Sequence, residues 1–303
     1  MNLNIPALPS NPSRLSDHLF SVVQGGKGLD RAVALDGDAR QNHLLASLPE
    51  AQYKALLPHL EKVEMHAGEV IYQFGSRSQY VYFPATSIVC LVYEVEDGGS
   101  TEVAIVGNEG MVGVGVFMTG EMMPGLAQVQ CTGHGYRLSS RILKQECDRP
   151  GPLQHVLLCY AQALMVDIAQ TAVCNRRHSM KQRLCRSLLS NLDRSESDEL
   201  PLTHEMLGAS LGVRRECVTV AAGRLRAEGL IEYKRGHVHV LDREGLEAES
   251  CECYDVVRRT FERLLPAMPE VRTLAGNGTR FTGQFRALES RSRFHAGHLR
   301  TQE

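Results

Sequence analysis

A change of hydrophobic period at Pro150-Gly151-Pro152 constrains this chain more than any other feature. Upstream, over residues 63–137, runs rich in Val, Ile, Tyr and Phe (VEMHAG, EVIYQFG, YVYFPAT, SIVCLVYEVEDGG, STEVAIVG, GMVGVGVFM and AQVQCTG) are divided by Gly, Asp and Pro. Punctuation about every ten residues predicts short antiparallel strands that close into a roll. Asp97-Gly98-Gly99, between two of these runs, is a hairpin signal. Downstream, Leu153, Leu157, Tyr160, Leu164, Ile168 and Thr171 follow at intervals of 4, 3, 4, 4 and 3. That stripe predicts one long helix over 151–175, with no Gly or Pro after Pro152 to interrupt it. A roll followed by a long helix makes an α+β chain. The helix can bury its stripe on its own roll, and it can also pair with a second copy about a two-fold axis, which is the expectation here.

The flanks divide the rest of the chain. Residues 1–42, rich in Pro, Ser, Gly and Asp, are expected to be a flexible arm. The sensor-like unit then spans 43–150 and opens with HLLASLPEAQYKALLPHLE, whose helical spacing is broken at Pro49 and Pro58. After the long helix, 176–246 should form a second folded unit and 247–265 a C-terminal helix. Residues 266–303, poor in apolar side chains, are expected to be a disordered tail.

The second unit holds the most informative stretch, LTHEMLGASLGVRRECVTVAAGRLRAEGLIEYKRGHVHVLD. Thr203 can cap a helix to about Leu211 by accepting a first-turn amide that has no helical partner. Gly212 supplies the left-handed conformation of a sharp turn. In the next helix Val218, Ala222 and Leu225 share one face, while Arg215, Thr219, Gly223 and Arg226 form the opposite stripe with Glu216 beside it. Gly229 stops that helix, and Ile231, Tyr233, Val238 and Val240 alternate on either side of Lys234-Arg235-Gly236. Helix, turn, helix and basic hairpin in this order form the pattern of a winged helix-turn-helix.

Such a helix fits the DNA major groove, where its first exposed side chains meet base edges. Arg215 can give two parallel hydrogen bonds to guanine, and Glu216 can accept from a cytosine amino group. Thr219 lies on the same stripe. Arg214, Arg226, Lys234 and Arg235 are placed to face phosphates, with His237 beside them, which gives affinity without sequence information. The formal charge of -2 does not exclude this partner, because it is a cancellation. Residues 1–150 carry 11 Lys and Arg against 16 Asp and Glu, whereas residues 175–244 carry 13 against 10.

A roll, a long helix and a winged helix-turn-helix resemble the Crp/Fnr family of bacterial transcription regulators over roughly residues 43–246. AGEVIYQFG and GNEGMVG are similar to the early strands and the later turn of a cyclic-nucleotide-binding-like roll, and VRRECV to the family's Ser-Arg-Glu-Thr-Val helix start. The resemblance implies a homodimer that reads a near-palindrome in double-stranded DNA, and contact with RNA polymerase if the protein activates. Two departures matter. Where the family's cyclic-AMP binders have a Gly-Glu-Leu turn and an Arg-Ser/Thr-Ala clamp, this chain has Gly110-Met111-Val112, followed by Gly113, and Gly125-Leu126-Ala127. Between Arg77 and Arg137 it has no Lys or Arg at all, so a buried cyclic phosphate would lack a cationic partner. Those seven residues are therefore expected to form a degenerate pocket, with the effector left open. In the recognition helix, Val220 stands where the family has a further Arg, which allows contact with a thymine methyl but no hydrogen bond to guanine.

Other chemistries find little support. The nine cysteines never form a Cys-x-x-Cys pair and suit reduced thiols in the cytoplasm. Cys90 is the first of them, so the N-terminal cysteine cluster of the family's oxygen sensors is missing. Cys251-x-Cys253 near His237 and His239 lacks the usual zinc spacing, so neither metal nor cofactor is expected. Met111, Met118, Met122 and Met123 read as filling of the roll core before they read as a sensor pocket. No nucleophile elbow, Walker loop or His-Glu-x-x-His occurs, so an enzyme is not expected, and no run of 18 apolar residues suggests a membrane span. The competing reading is an interaction module in which the roll binds a cyclic nucleotide or other small ligand and the winged unit binds a protein.

Overall fold

The computed structural model describes residues 32–33, 38–73, 79–94, 100–121, 124–195 and 197–265. The Val- and Tyr-rich runs form two four-stranded antiparallel sheets that face each other. One has the order β1 (Ala32–Val33), β2 (Leu60–Met65), β8 (Gly133–Ser139), β4 (Tyr80–Pro84). The other has the order β3 (Val70–Tyr72), β7 (Leu126–Cys131), β5 (Ile88–Glu94), β6 (Ser100–Val106). Glu94 pairs with Ser100, so β5 and β6 are the hairpin that Asp97-Gly98-Gly99 predicts, and the turn residues themselves lie outside the described residues.

Short helices α1 (His43–Ala46) and α2 (Glu50–Leu56) precede the roll and end at the predicted prolines. Two readings need correction in this half. The arm expected over 1–42 is ordered where it is described: β1 pairs with β2, Ala39–Gln41 make a 3-10 turn, and buried Asn42 caps α1 while its amide donates to Pro84 and Gly110 carbonyls. Within GMVGVGVFM, Val114–Thr119 form helix α3 rather than a strand. Gly113 and Gly120, both at positive φ, bracket it, and tertiary packing overrides the β-propensity of its valines. Helix α4 (Ser140–Cys147) then leads to the long helix α5 (Pro152–Arg177).

The predicted stripe of α5 points inward. Leu153, Leu157, Tyr160 and Leu164 are buried against the roll, Ile168 packs at the edge of the same core, and Thr171 accepts a hydrogen bond from Arg186 at 2.9 Å. The expectation that this edge pairs with a second copy is thus corrected, because the chain's own roll covers it. Leu158, Met165 and Val173 stand on the other side, 54%, 56% and 46% exposed. By length and composition α5 could cross a membrane, with mean hydropathy 1.5 over its most apolar window. Its packing on the roll and a buried Asp167 paired with Arg186 make it a core helix instead.

A second core follows. Helix α6 (Met180–Leu192), β9 (Glu199–Leu200), α7 (His204–Leu211), α8 (Arg215–Ala227), β10 (Ile231–Lys234) and β11 (His237–Val240) enclose Leu184, Leu188, Leu207, Val218 and Leu225. The segment expected as one C-terminal helix over 247–265 is two, α9 (Arg243–Glu249) and α10 (Glu252–Leu264), broken at Ser250-Cys251. Tyr254 of α10 belongs to the second core and Phe261 to the first, so α10 joins the two. The tail expected over 266–303 lies outside the described residues.

Candidate nucleic-acid interface

Local chemistry builds the reading unit. The Thr203 hydroxyl accepts from the Met206 amide at 3.1 Å and starts α7. Gly212, at φ +62, then turns the chain, and the Val213 amide closes on the Gly208 carbonyl at 2.9 Å. Helix α8 starts at Arg215. Val218, Ala221, Ala222 and Leu225 seat it on the second core, which fixes the face left outside. Arg215, Glu216, Thr219, Val220, Gly223 and Arg226 all lie on that exposed face. Beyond Gly229, Lys234 pairs with His237 across a two-residue turn in which Arg235 and Gly236 both take positive φ, as a tight hairpin requires. Strand β9, which the polar stretch DRSESDELP did not suggest, adds a third strand on β11.

The sequence-derived residues divide by what engages them. Arg214, Arg215, Glu216, Arg226 and Arg235 are exposed and form no ion pair among the described residues. Lys234 is held by Glu232 at 3.0 Å on its own strand, and His237 stands 3.2 Å from Glu199. Thr219 is also engaged: its hydroxyl lies 3.1 Å from the Arg215 carbonyl and 3.0 Å from Nδ1 of His204. The His204 ring lies over Tyr233, with centroids 4.1 Å apart. Burial, and then the nearby Arg215 charge, lower the His204 pKa and favour the neutral ring. His204 and Tyr233 thus tie the start of α7, the face of α8 and the wing together. The sequence reading missed this contact because the residues are 29 positions apart in unrelated elements.

Behind the reader, three polar contacts join it to the roll and long helix. Arg194 donates to Glu109 at 2.8 Å, Arg186 to Asp167 at 2.8 Å, and the Ser210 hydroxyl to Glu102 at 2.8 Å. Burial opposes the Arg194 charge, but Glu109 and Asp167 outweigh it and raise its pKa. Burial also lifts Asp167, with Arg186 opposing. Glu102 is pushed up to about 7 by burial, against the pull of the Ser210 hydrogen bond. A small cleft between β6, α5, α6 and α7 is lined by Glu102, Asp167, Arg186 and Ser210.

The seven residues of the degenerate pocket are mostly packed away. Met111, Val112 and Ala127 are buried, and Val112 bridges to Tyr82. The Tyr160 hydroxyl donates to the Met111 carbonyl at 3.1 Å, and its ring lies so close to Gly110 that a methyl group there would stand 2.6 Å from the oxygen. A side chain at Gly125 would meet the Val92 carbonyl at 2.6 Å. Gly113 caps α3. Leu126 borders a cleft, shared with Tyr72, Tyr93 and Ile168, of about 10 Å³, room for one water at most. Arg137, at the end of the cation-free stretch, pairs with Glu61 at 2.8 Å and lies over the Tyr80 ring. The cysteine pair also finds other company than expected: Cys251 and Cys253 lie beside Cys174 and His178, not beside His237 and His239.

Residues 182–249 match the Crp-like helix-turn-helix domain family. Three solved structures share the fold at low sequence identity. A CRP-family transcriptional regulator of Thermus thermophilus is 21% identical with a TM-score of 0.52, over 62% of this chain and 95% of that one. A crp/fnr-family regulator of Eubacterium rectale is 18% identical with a TM-score of 0.55, over 69% and 98%. FixK2 of Bradyrhizobium japonicum is 16% identical with a TM-score of 0.53, over 63% and 98%. No curated protein matches the chain by sequence.

Proposed function

We propose that this chain, Crp/Fnr-type in fold and carrying a Crp-like helix-turn-helix domain, is a transcription regulator that binds a near-palindromic DNA operator as a homodimer. The observation that carries the reading is the outer face of α8, where Arg215 and Glu216 project with no intramolecular ion pair among the described residues. Arg215 reads guanine, Glu216 cytosine, and exposed Val220 a thymine methyl. Arg214, Arg226 and Arg235 hold phosphates, and Lys234 joins them once Glu232 releases it. Thr219 serves the base-reading surface by positioning, through its contact with His204.

Homodimerisation uses the outer face of α5. Leu158, Gln162, Met165, Ala169 and Ala172 are exposed and recur at 4, 3, 4 and 3, the spacing of a short coiled-coil seam. Two-fold symmetry then sets the two α8 helices about 34 Å apart, one turn of DNA. The roll, 43–150, is the regulatory half, the long helix the pairing element and 176–246 the reader. Tyr160 and the missing cations argue against a cyclic-phosphate effector in the family's usual place.

Genome-wide footprinting of the wild type and Arg215→Ala tests the reading. A discrete palindrome that is occupied by the wild type and lost in the variant is expected. Absence of enrichment by the wild type would overturn it.

A further inference from the structure

Four potential metal ligands converge where the long helix ends. Cys174 and His178 are one helical turn apart at the C-terminus of α5, and His178 closes that helix by donating its amide to the Cys174 carbonyl. Cys251 caps α10 and Cys253 lies in its first turn. The Sγ atoms of Cys174 and Cys251 are 3.5 Å apart, and Sγ of Cys253 is 3.6 Å from Nδ1 of His178. All four donor atoms lie within 4.8 Å of one another.

These are the separations of a tetrahedral shell around one ion. With zinc–sulfur bonds of about 2.3 Å and zinc–nitrogen bonds of about 2.0 Å, tetrahedral angles put two sulfurs about 3.8 Å apart and sulfur about 3.5 Å from nitrogen. The three cysteines are buried and form an apolar cluster of their own, apart from the two main cores. The imidazole is oriented as well. Its Nε2 faces Glu252 at 3.3 Å, which fixes the proton on that nitrogen and leaves the Nδ1 lone pair toward the sulfurs.

We propose that Cys174, His178, Cys251 and Cys253 form a structural Zn²⁺ site that clamps the end of α5 to the start of α10. Three thiolates and one imidazole without an open position suit zinc in a structural rather than a catalytic role. The position gives the site its consequence. Helix α6, the first of the reader, begins at Met180, two residues after His178, so the clamp sets the angle at which the reader leaves the long helix. Binding displaces thiol protons, so the clamp weakens as pH falls.

Elemental analysis of the full chain, purified under reducing conditions without chelator, is expected to give one equivalent of zinc. Replacement by Co²⁺ is expected to give the intense visible bands and sulfur-to-metal charge transfer of a tetrahedral thiolate site. Cys253→Ser removes both signatures, while Cys217→Ser, which changes an exposed cysteine outside the cluster, leaves them intact. Glu252→Gln, at an exposed side chain where folding is not at stake, weakens zinc about 10- to 100-fold. A chain that folds without zinc and gives only the weak spectrum of octahedral cobalt overturns the site. So does a Cys174–Cys251 disulfide in protein alkylated directly from reducing lysate.

Discussion

Two sets of arginines in this molecule are used in opposite ways. On the reader, Arg214, Arg215, Arg226 and Arg235 are exposed with no ion-pair partner among the described residues, which leaves them to whatever docks. In the roll and at its junction, Arg137, Arg186 and Arg194 are each committed to a carboxylate. An unpaired surface arginine costs little in water and contributes when it meets a phosphate or guanine. A buried arginine is tied to its partner, and removing either leaves the other stranded. The comparison separates two uses of one residue type: exposed and unpaired on α8 and the wing, buried and paired where α6 meets the roll and α5.

Breaking the junction should have the largest effect. Arg194→Ala strands Glu109 in a buried site and is expected to cost about 3–5 kcal/mol in chemical denaturation. Arg194→Met combined with Glu109→Leu should restore much of that stability, because an apolar pair needs no desolvated charge. Full stability in the single variant would show that the junction contributes nothing.

The two faces of α5 sharpen the comparison. Leu157→Ala, on the buried face, is expected to cost about 2–5 kcal/mol of stability. Leu158→Asp with Met165→Asp, on the exposed face, should change chain stability little and abolish the proposed dimer, leaving a monomer in sedimentation. Intact dimers in that double variant would move the seam elsewhere.

A smaller effect comes from Glu102. Its carboxyl is pushed up to about 7, above the ordinary glutamate range, so the folded chain holds a proton there that the unfolded chain releases. Its contribution to stability is therefore present at acid pH and is lost as pH rises toward and through 7. Between pH 5 and 8 the loss is expected to be about 2–3 kcal/mol, and Glu102→Gln should flatten that slope. An unchanged slope in the variant would assign the pH dependence to another group.

What the sequence made legible was local. Thr203, Gly212 and the 3–4 spacing of Val218, Ala222 and Leu225 act within one or two turns, so their pattern survives without knowledge of the fold. The α5 stripe was harder, since that helix has apolar residues on two faces and periodicity cannot say which one the roll covers. The α3 segment misled because valine favours strands, while the bracketing glycines and the packing of Val114 and Val116 settle it as helix. The cysteine and histidine cluster was illegible for a different reason. Cys174 and Cys251 are 77 residues apart, and only the packing of α10 on α5 brings them together. The Glu109–Arg194 and Ser210–Glu102 contacts were hidden in the same way, 85 and 108 residues apart in sequence.

The contrast between reading and holding charges is tested most directly by titrating operator DNA and a scrambled duplex across a range of salt with wild type, Arg215→Ala and Arg235→Ala. Arg215→Ala is expected to lose about 1–3 kcal/mol of discrimination between the two duplexes. Arg235→Ala is expected to weaken both duplexes alike and lower the salt slope by about 1. If the two variants behave alike, or if neither changes binding, the assignment of α8 as reader and the wing as phosphate contact is wrong.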